Sequence, residues 1–415
     1  MRVLIIGAGL GGLTLLHGLR TAGVDAHVYE RSPRHGGQPA SYGIHLDADG
    51  LRALHNSLPD ENFKQIDADA VTAPMIIRFR DPRHGILATV DKRFPEHATD
   101  PVTKRRAISR GKLREALLLG TDTTTEPITH WERTFDHYEQ NSTGVRAYFT
   151  DGTHADGDLL VGADGSNSRV RRQRLPELQR HDLGITNIAG RTPLTRELAA
   201  VLPADLTDGG INNVVPAGKG WMFLSTWATG DPDNTDLSNG ADRYIVWAWA
   251  AATPSYPADI NDYDGNHLKS LVTDRVSTWS DPLRAIVAAT DPAAVNTVPL
   301  RTMPQLPHWT PSTVTMLGDA IHNMTPMAGI GANTALRDAD QLRQALSTDH
   351  RTLPAVERYE NAMRQYANEA LRLSTRNARN ATLATTANRM AFRALLRIGS
   401  RLPILRNKMF GPTIR

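Results

Sequence analysis

Three features of the 415-residue sequence predict an α/β protein. The chain opens with a strand, a glycine loop, a helix and a second strand, the start of a Rossmann-like domain with a parallel sheet. From about residue 180 to 300 the pattern is extended and aromatic-rich, which reads as a mixed or antiparallel sheet in a second domain. From Ala332 onward the chain reads as C-terminal helices with few breaks.

Taken in order, residues 3–6 (VLII) form a short apolar run ending in glycine, the signature of a buried strand. Leu13, Leu16 and Leu19 then recur at helical spacing, and Gly23 closes that helix. Residues 26–30 (AHVYE) read as the next strand. Residues 75–80 and 86–90 read as a strand pair around a turn at 81–85. Residues 104–120 return to helix, with Leu113 and Leu117 one turn apart. Residues 145–150 and 158–162 read as strands separated by an Asp151-Gly152 turn. Residues 221–227 and 244–249 carry Trp221, Phe223, Trp227, Trp247 and Trp249, which read as sheet-face packing. Residues 314–317 are a strand again.

Composition narrows the class. Hydrophobic residues make up 40% and charged residues 22%, as in ordinary globular proteins. The absence of cysteine excludes disulfide scaffolds, thiolate metal sites and cysteine nucleophiles. No apolar run is long enough to span a membrane, and nothing at the start reads as a targeting signal, so the expected compartment is the cytoplasm. Net charge is +3 but uneven: residues 351–415 hold 13 Arg or Lys against 3 Asp or Glu. The basic positions alternate with apolar ones at helical spacing, including Arg389, Arg393, Arg397 and Arg401. That pattern reads as a tail docked on its own body, with neither nucleic acid nor membrane as a partner.

Three motifs carry the chemistry. The first is Gly7-Ala8-Gly9-Leu10-Gly11-Gly12, between the first strand and the first helix. Gly7 permits the tight turn, Gly9 lets backbone approach a pyrophosphate, and Gly12 allows close helix–strand packing. The helix N-terminus at Leu10 and Gly11 favours negative phosphates. Glu30, 18 residues past Gly12 and followed by Arg31, suits hydrogen bonds from ribose hydroxyls and disfavours a 2′-phosphate. The second motif runs from Gly162 through Asp164 and Gly165 to Arg171; alone it reads as a structural turn. The third is Gly318-Asp319-Ala320-Ile321-His322-Asn323-Met324-Thr325-Pro326, continuing through Gly329, Gly331, Ala332 and Asn333. It delivers a carboxylate at a strand end and then a helix N-terminus, whose N–H groups suit the pyrimidine edge of a flavin.

In this order and spacing the motifs resemble the single-component FAD-dependent aromatic hydroxylases of the p-hydroxybenzoate hydroxylase type, over nearly the whole chain. A fourth match is Arg110-x-x-Leu113-x-x-x-Leu117, whose arginine contacts FAD in that family. The resemblance implies that Asp164 and Gly165 lie near the FAD phosphates and the nicotinamide donor. It gives Gly318 and Asp319 ribityl or phosphate contacts, Pro326 and Gly329 the loop over the isoalloxazine, and Gly331, Ala332 and Asn333 its pyrimidine edge. The chain departs from the family at Ile321, usually Ala, at Asn323, often Pro, and at residues 327–330, which replace an aromatic-Gly-Gly-Gln stretch. Those positions flank the flavin, so the substrate does not carry over by analogy.

The expected division is an FAD-binding domain from 1–72, 100–178 and 300–350, a substrate-binding domain from 73–99 and 179–299, and a C-terminal helical region from 351–415. There is no second G-x-G-x-x-G, because Thr334 stands where a glycine is needed. NAD(P)H is therefore expected as a transient co-substrate, as in the family. The resemblance implies that reduced FAD takes up O2 as a C4a-hydroperoxide and hydroxylates an aromatic or polycyclic small molecule, in a secondary-metabolism role. Baeyer–Villiger oxygenation, a reductase and a halogenase are the alternatives. The halogenase signature W-x-W-x-I-P fails after Trp249, where three alanines follow. No catalytic side chain stands out: His322, His45 and Tyr244 are the candidates, and each is more simply a loop-fixing or packing residue. The histidines show no metal-ligand spacing. Monomer and homodimer both fit.

Overall fold

The computed structural model describes residues 1–34, 43–72, 76–91, 102, 105–121, 127–141, 144–228, 243–348, 351–382 and 385–401. Met75 and the tail beyond Arg401 lie outside them. The chain forms two units. One comprises Met1–Ala70, Asp100–His181 and Arg301–Arg376; the other comprises Val71–Thr99, Asp182–Leu300 and Asn377–Arg415.

The first unit is built on a five-stranded parallel sheet. Its order is Val314–Met316, Leu159–Gly162, Arg2–Ile6, Asp25–Tyr29 and Thr129–His130. The central strand is apolar because both of its faces are covered: Val3, Leu4 and Ile5 are fully buried. The Leu10–Thr21 helix crosses from the first strand to the second and buries nearly its whole length. It packs against Gly331–Thr348 and Ala48–Ser57. Gly18 makes that close approach possible, since a Cβ there would sit 2.6 Å from Arg343 Cδ. Gly43–Leu46 pairs antiparallel with Arg106–Ser109, and the Arg110–Leu118 helix follows directly.

Two sequence expectations change here. The Asp151-Gly152 turn does not lead straight into the parallel sheet. It closes a hairpin between Gly144–Phe149 and His154–Gly157, inside a three-stranded antiparallel sheet that also holds Phe135–Asn141. His154–Gly157 (HADG) alternates weakly and carries no β-branched residue, so its strand character comes from its partner. Residues 104–120 likewise split into a strand and a helix, with Ser109 capping the helix at the junction by accepting from Lys112 N at 3.1 Å.

The second unit holds a seven-stranded mixed sheet. Its order is Val295–Thr302, His181–Pro193, Arg243–Ala252, Trp221–Ala228, Ile211–Val214, Ile76–Arg80 and Ile86–Asp91. Ile211–Val214 and Ile76–Arg80 run parallel, whereas the hairpins around them are antiparallel. The region is less purely extended than its sequence suggests, because helices Gly265–Arg275 and Asp281–Ala288 cover one face. Leu268, Val272, Leu283, Ile286 and Val287 bury against Met222, Ile245 and Trp247. Trp247 is fully buried, and its indole donates to Thr290 Oγ1 at 2.9 Å. Gly190 leaves room for that ring: a Cβ there would meet it at 2.5 Å.

Candidate cofactor-binding site

The three glycine loops meet at the carboxyl ends of Arg2–Ile6, Leu159–Gly162 and Val314–Met316, where doubly wound sheets place their ligands. Gly7 adopts φ +114° and donates to Tyr29 O at 2.8 Å. A Cβ on Gly7 would lie 2.4 Å from Ala163 O, so the first and second motifs touch through backbone. Gly12 packs equally tightly, its Cβ position 2.1 Å from Gly7 O. Gly11 faces Leu317 and Ala335, which flank the third motif. Gly9 differs from all three, because nothing lies within 4 Å of its Cβ position. It is the N-cap of Leu10–Thr21, and no side chain caps that helix. The result is a bare, glycine-floored helix N-terminus in front of open space, which fits a pyrophosphate.

Glu30 stands beside this loop. Its carboxylate accepts from Ala8 N at 2.8 Å and from Ser32 N at 2.9 Å, which fixes its orientation. Arg31 is exposed one residue on. Arg110 is exposed at the first turn of Arg110–Leu118. That helix is tied to Leu10–Thr21 by His17, whose Nε2 donates to Leu117 O at 2.7 Å. Arg114, one turn past Arg110, was missed in the sequence. Burial pushes its guanidinium down and the Glu30 carboxylate opposes this, while its head lies 5.5 Å from the centre of the Trp131 ring. The i, i+4 spacing from Arg110 was the available signal.

In the second motif, burial pushes the Asp164 carboxyl up, against hydrogen bonds to the charged form. Its Oδ2 accepts from Arg169 N at 2.7 Å and Val170 N at 3.3 Å. Its Oδ1 is buried and has no hydrogen-bond partner among the described residues. Gly165 has φ +76° and open space at its Cβ position. Arg171, nearly fully buried, donates to Ala320 O at 2.6 Å and Ser166 O at 3.1 Å, linking the second and third motifs. Arg180, absent from every motif, does the same through Asn167 Oδ1 at 2.6 Å and Asn323 Oδ1 at 3.3 Å.

In the third motif Gly318 adopts φ +61° and Asp319 is exposed at the start of Asp319–His322. Behind them lies a fully buried carboxylate, Asp338, which sequence reasoning also missed. Its Oδ2 accepts from Gly318 N at 2.7 Å and His322 Nε2 at 2.6 Å; its Oδ1 accepts from Tyr366 OH at 2.6 Å. Burial alone would lower the His322 pKa, but the Asp338 carboxylate outweighs it and raises it. His322 is thus a turn-fixing residue. Pro326 is exposed at the start of a short turn that ends at Gly329, φ +65°. Gly331 and Ala332 begin Gly331–Thr348 and are half-buried. Asn333 is buried, and both ends of its amide are engaged: it accepts from Asp47 N at 3.1 Å and donates to His45 O at 2.9 Å. It therefore braces the Gly43–Leu46 strand. His45 is held neutral, pushed down to about 3 by burial and then by Arg105. Tyr244, in the second unit, is buried beneath Arg191, whose guanidinium lies 3.9 Å from the ring centre. No cluster of metal-ligating side chains occurs among the described residues.

Comparison with known proteins agrees with this geometry. The FAD binding domain family model matches residues 1–278 and 283–381. A chain of Photorhabdus luminescens assigned as an FAD-containing monooxygenase is 40% identical. It superposes with a TM-score of 0.83, over 92% of this chain and 99% of that one. Klebsiella pneumoniae HpxO, solved with FAD and uric acid, is 22% identical with a TM-score of 0.78 over 99% of this chain and 96% of that one; it shows the fold. A dual O-methyltransferase/FAD-dependent monooxygenase of Cercospora beticola is 29% identical over 396 residues, which cover 88% of this chain and 44% of that protein. The chain thus spans less than half the length of such two-activity relatives. By family model and by sequence, the chain belongs to the FAD-dependent monooxygenases and takes FAD as its cofactor.

Proposed function

We propose that the protein is an NAD(P)H-dependent FAD monooxygenase that uses O2 to hydroxylate an aromatic or polycyclic small molecule, in a secondary-metabolism role. The observation that carries the reading is the open, glycine-floored helix N-terminus at Gly9, set beside the fixed carboxylate of Glu30. FAD, when bound, supplies hydride acceptance and oxygen activation. The protein supplies position and charge. Backbone N–H groups at Leu10, Gly11 and Gly12 would hold the pyrophosphate. Glu30 would accept ribose hydroxyls and Arg110 would face the cofactor, with Arg31 at its rim. Asp319, at its exposed strand end, would take ribityl or phosphate oxygens, with Asp164, Gly165 and Gly318 shaping the turns beside it. The loop from Pro326 to Gly329 and the helix start at Gly331 and Ala332 would border the ring system. Support for an aromatic substrate comes from relatives: FAD-dependent urate hydroxylases of Klebsiella are 24–26% identical over most of this chain.

The test is an absorption spectrum of the desalted protein, then anaerobic addition of NADPH or NADH. Bands near about 370 and 450 nm that bleach on reduction are expected. Oxidation of the nicotinamide should then be stimulated by an aromatic compound. A protein that neither holds nor takes up FAD overturns the assignment.

A further inference from the structure

The Thr386–Arg401 helix reverses the usual surface arrangement, with Arg389 and Arg393 turned inward. Arg389 is fully buried, donates to the carbonyls of Ala381 at 3.0 Å and Asn380 at 3.4 Å, and lies 5.9 Å from the Trp221 ring centre. Arg393 donates to Val215 O at 3.1 Å and reaches Asp81 at 3.7 Å. Between them Phe392 packs on Trp221 and Phe79, at 6.0 and 6.5 Å between ring centres, and Leu396 is buried. The opposite face is apolar and open. Met390, Leu395 and Ile398 are 57, 46 and 51% exposed, with Ala391 and Ala394 between them on the same side. Burying a guanidinium against neutral carbonyls costs desolvation, and leaving three large aliphatic side chains in water forgoes their burial. Three such residues grouped on one helix face mark a contact surface.

Charge identifies what covers it. From residue 370 to the last residue the sequence has ten Arg or Lys and no Asp or Glu. A second copy of this chain would set that positive charge against itself across a two-fold axis. An anionic phospholipid surface offers opposite charge and an apolar boundary together, the combination that interfacial helices recognise. Arg397, half-exposed beside Ile398, lies 3.7 Å from Asp81 and carries its charge at the edge of the apolar face. No helix among the described residues is long and apolar enough to cross a membrane, so the contact is one of lying on a surface. We propose that the outward face of the Thr386–Arg401 helix docks the protein on anionic phospholipid bilayers. The sequence favoured a docked tail without membrane contact; it is the docking through Arg389 and Arg393 that turns the apolar face outward.

The test is co-sedimentation of the full chain with vesicles of phosphatidylcholine alone, or of phosphatidylcholine mixed with phosphatidylglycerol, at low and high salt. Binding to the mixed vesicles is expected, weakened by salt and absent from the neutral ones. The triple variant Met390→Glu, Leu395→Glu, Ile398→Glu changes only exposed side chains. It should bind at least roughly tenfold more weakly while unfolding at the temperature of the parent. The lipid preference of the unaltered chain is informative even if that variant misfolds. Equal recovery with both vesicles, or none with either, overturns the proposal. So does a dimer of the parent chain that the variant converts to a monomer.

Discussion

Gly9 and Gly12 stand three residues apart in one loop and meet opposite constraints. Gly9 has φ −79° and ψ −179°, a conformation open to any residue, and its Cβ position is empty. Gly9→Ala should therefore leave thermal unfolding nearly unchanged, within about 1 kcal/mol, and yet reduce flavin retained after desalting, because the methyl enters the phosphate space. Gly12→Ala places a methyl against Gly7 O and should cost about 1–3 kcal/mol in denaturant unfolding. If both variants lose stability equally, the space at Gly9 is not a ligand cradle. Asp338 sets a different expectation. Asp338→Ala leaves His322 and the Gly318 N–H without their buried acceptor, and should destabilise by about 3–5 kcal/mol. Tyr366→Phe removes one hydroxyl from the same carboxylate and should cost about 1 kcal/mol.

At the scale of elements, the opening strand–helix–strand unit was legible because its glycines and its apolar period point the same way. The same holds for the strands around Trp221 and Trp247. His154–Gly157 was not legible, since a short polar strand is specified by its neighbour rather than by its own residues. The loop-binding side chains were also invisible. Arg171 and Arg180 act across more than a hundred residues of sequence, on Ala320 O and Asn323 Oδ1, and no local pattern announces such a contact. Asn333 reads from the sequence as a cofactor neighbour; the hydrogen bonds of its amide to His45 and Asp47 are a further role, which depends on a strand far away in the chain. Arg171→Leu tests whether the second and third motifs are held as one element. It should cost about 2–3 kcal/mol of stability and raise the FAD dissociation constant. An unchanged dissociation constant would show that each loop keeps its own shape.

For the whole molecule, acid sensitivity follows from histidines held neutral. His130 stacks on Tyr29 at 4.6 Å between ring centres and is pushed down to about 4 by burial, then by His27 and Arg133. In the unfolded chain it gains a proton below about 6.5, whereas in the folded protein it resists until about 4. Unfolding therefore takes up a proton across that window, and the stabilising contribution present at neutral pH is lost as pH falls through it. His130→Phe keeps the stack without the titration. Its stability relative to the parent should rise steadily from pH 6.5 to 4, measured by denaturant unfolding at each pH; a constant difference would refute the assignment. The order of strands in the parallel sheet has a consequence for synthesis. Arg2–Ile6 lies between Asp25–Tyr29, its early neighbour, and Leu159–Gly162, which in turn needs Val314–Met316 on its far side. At ribosomal rates the first strand emerges roughly 15–60 s before the last one exists. The nascent chain first carries a βαβ fragment whose apolar first strand is unpaired on one side until Leu159–Gly162 emerges, and that strand in turn offers an unpaired edge until Val314–Met316 exists, so early termination products should be prone to aggregate.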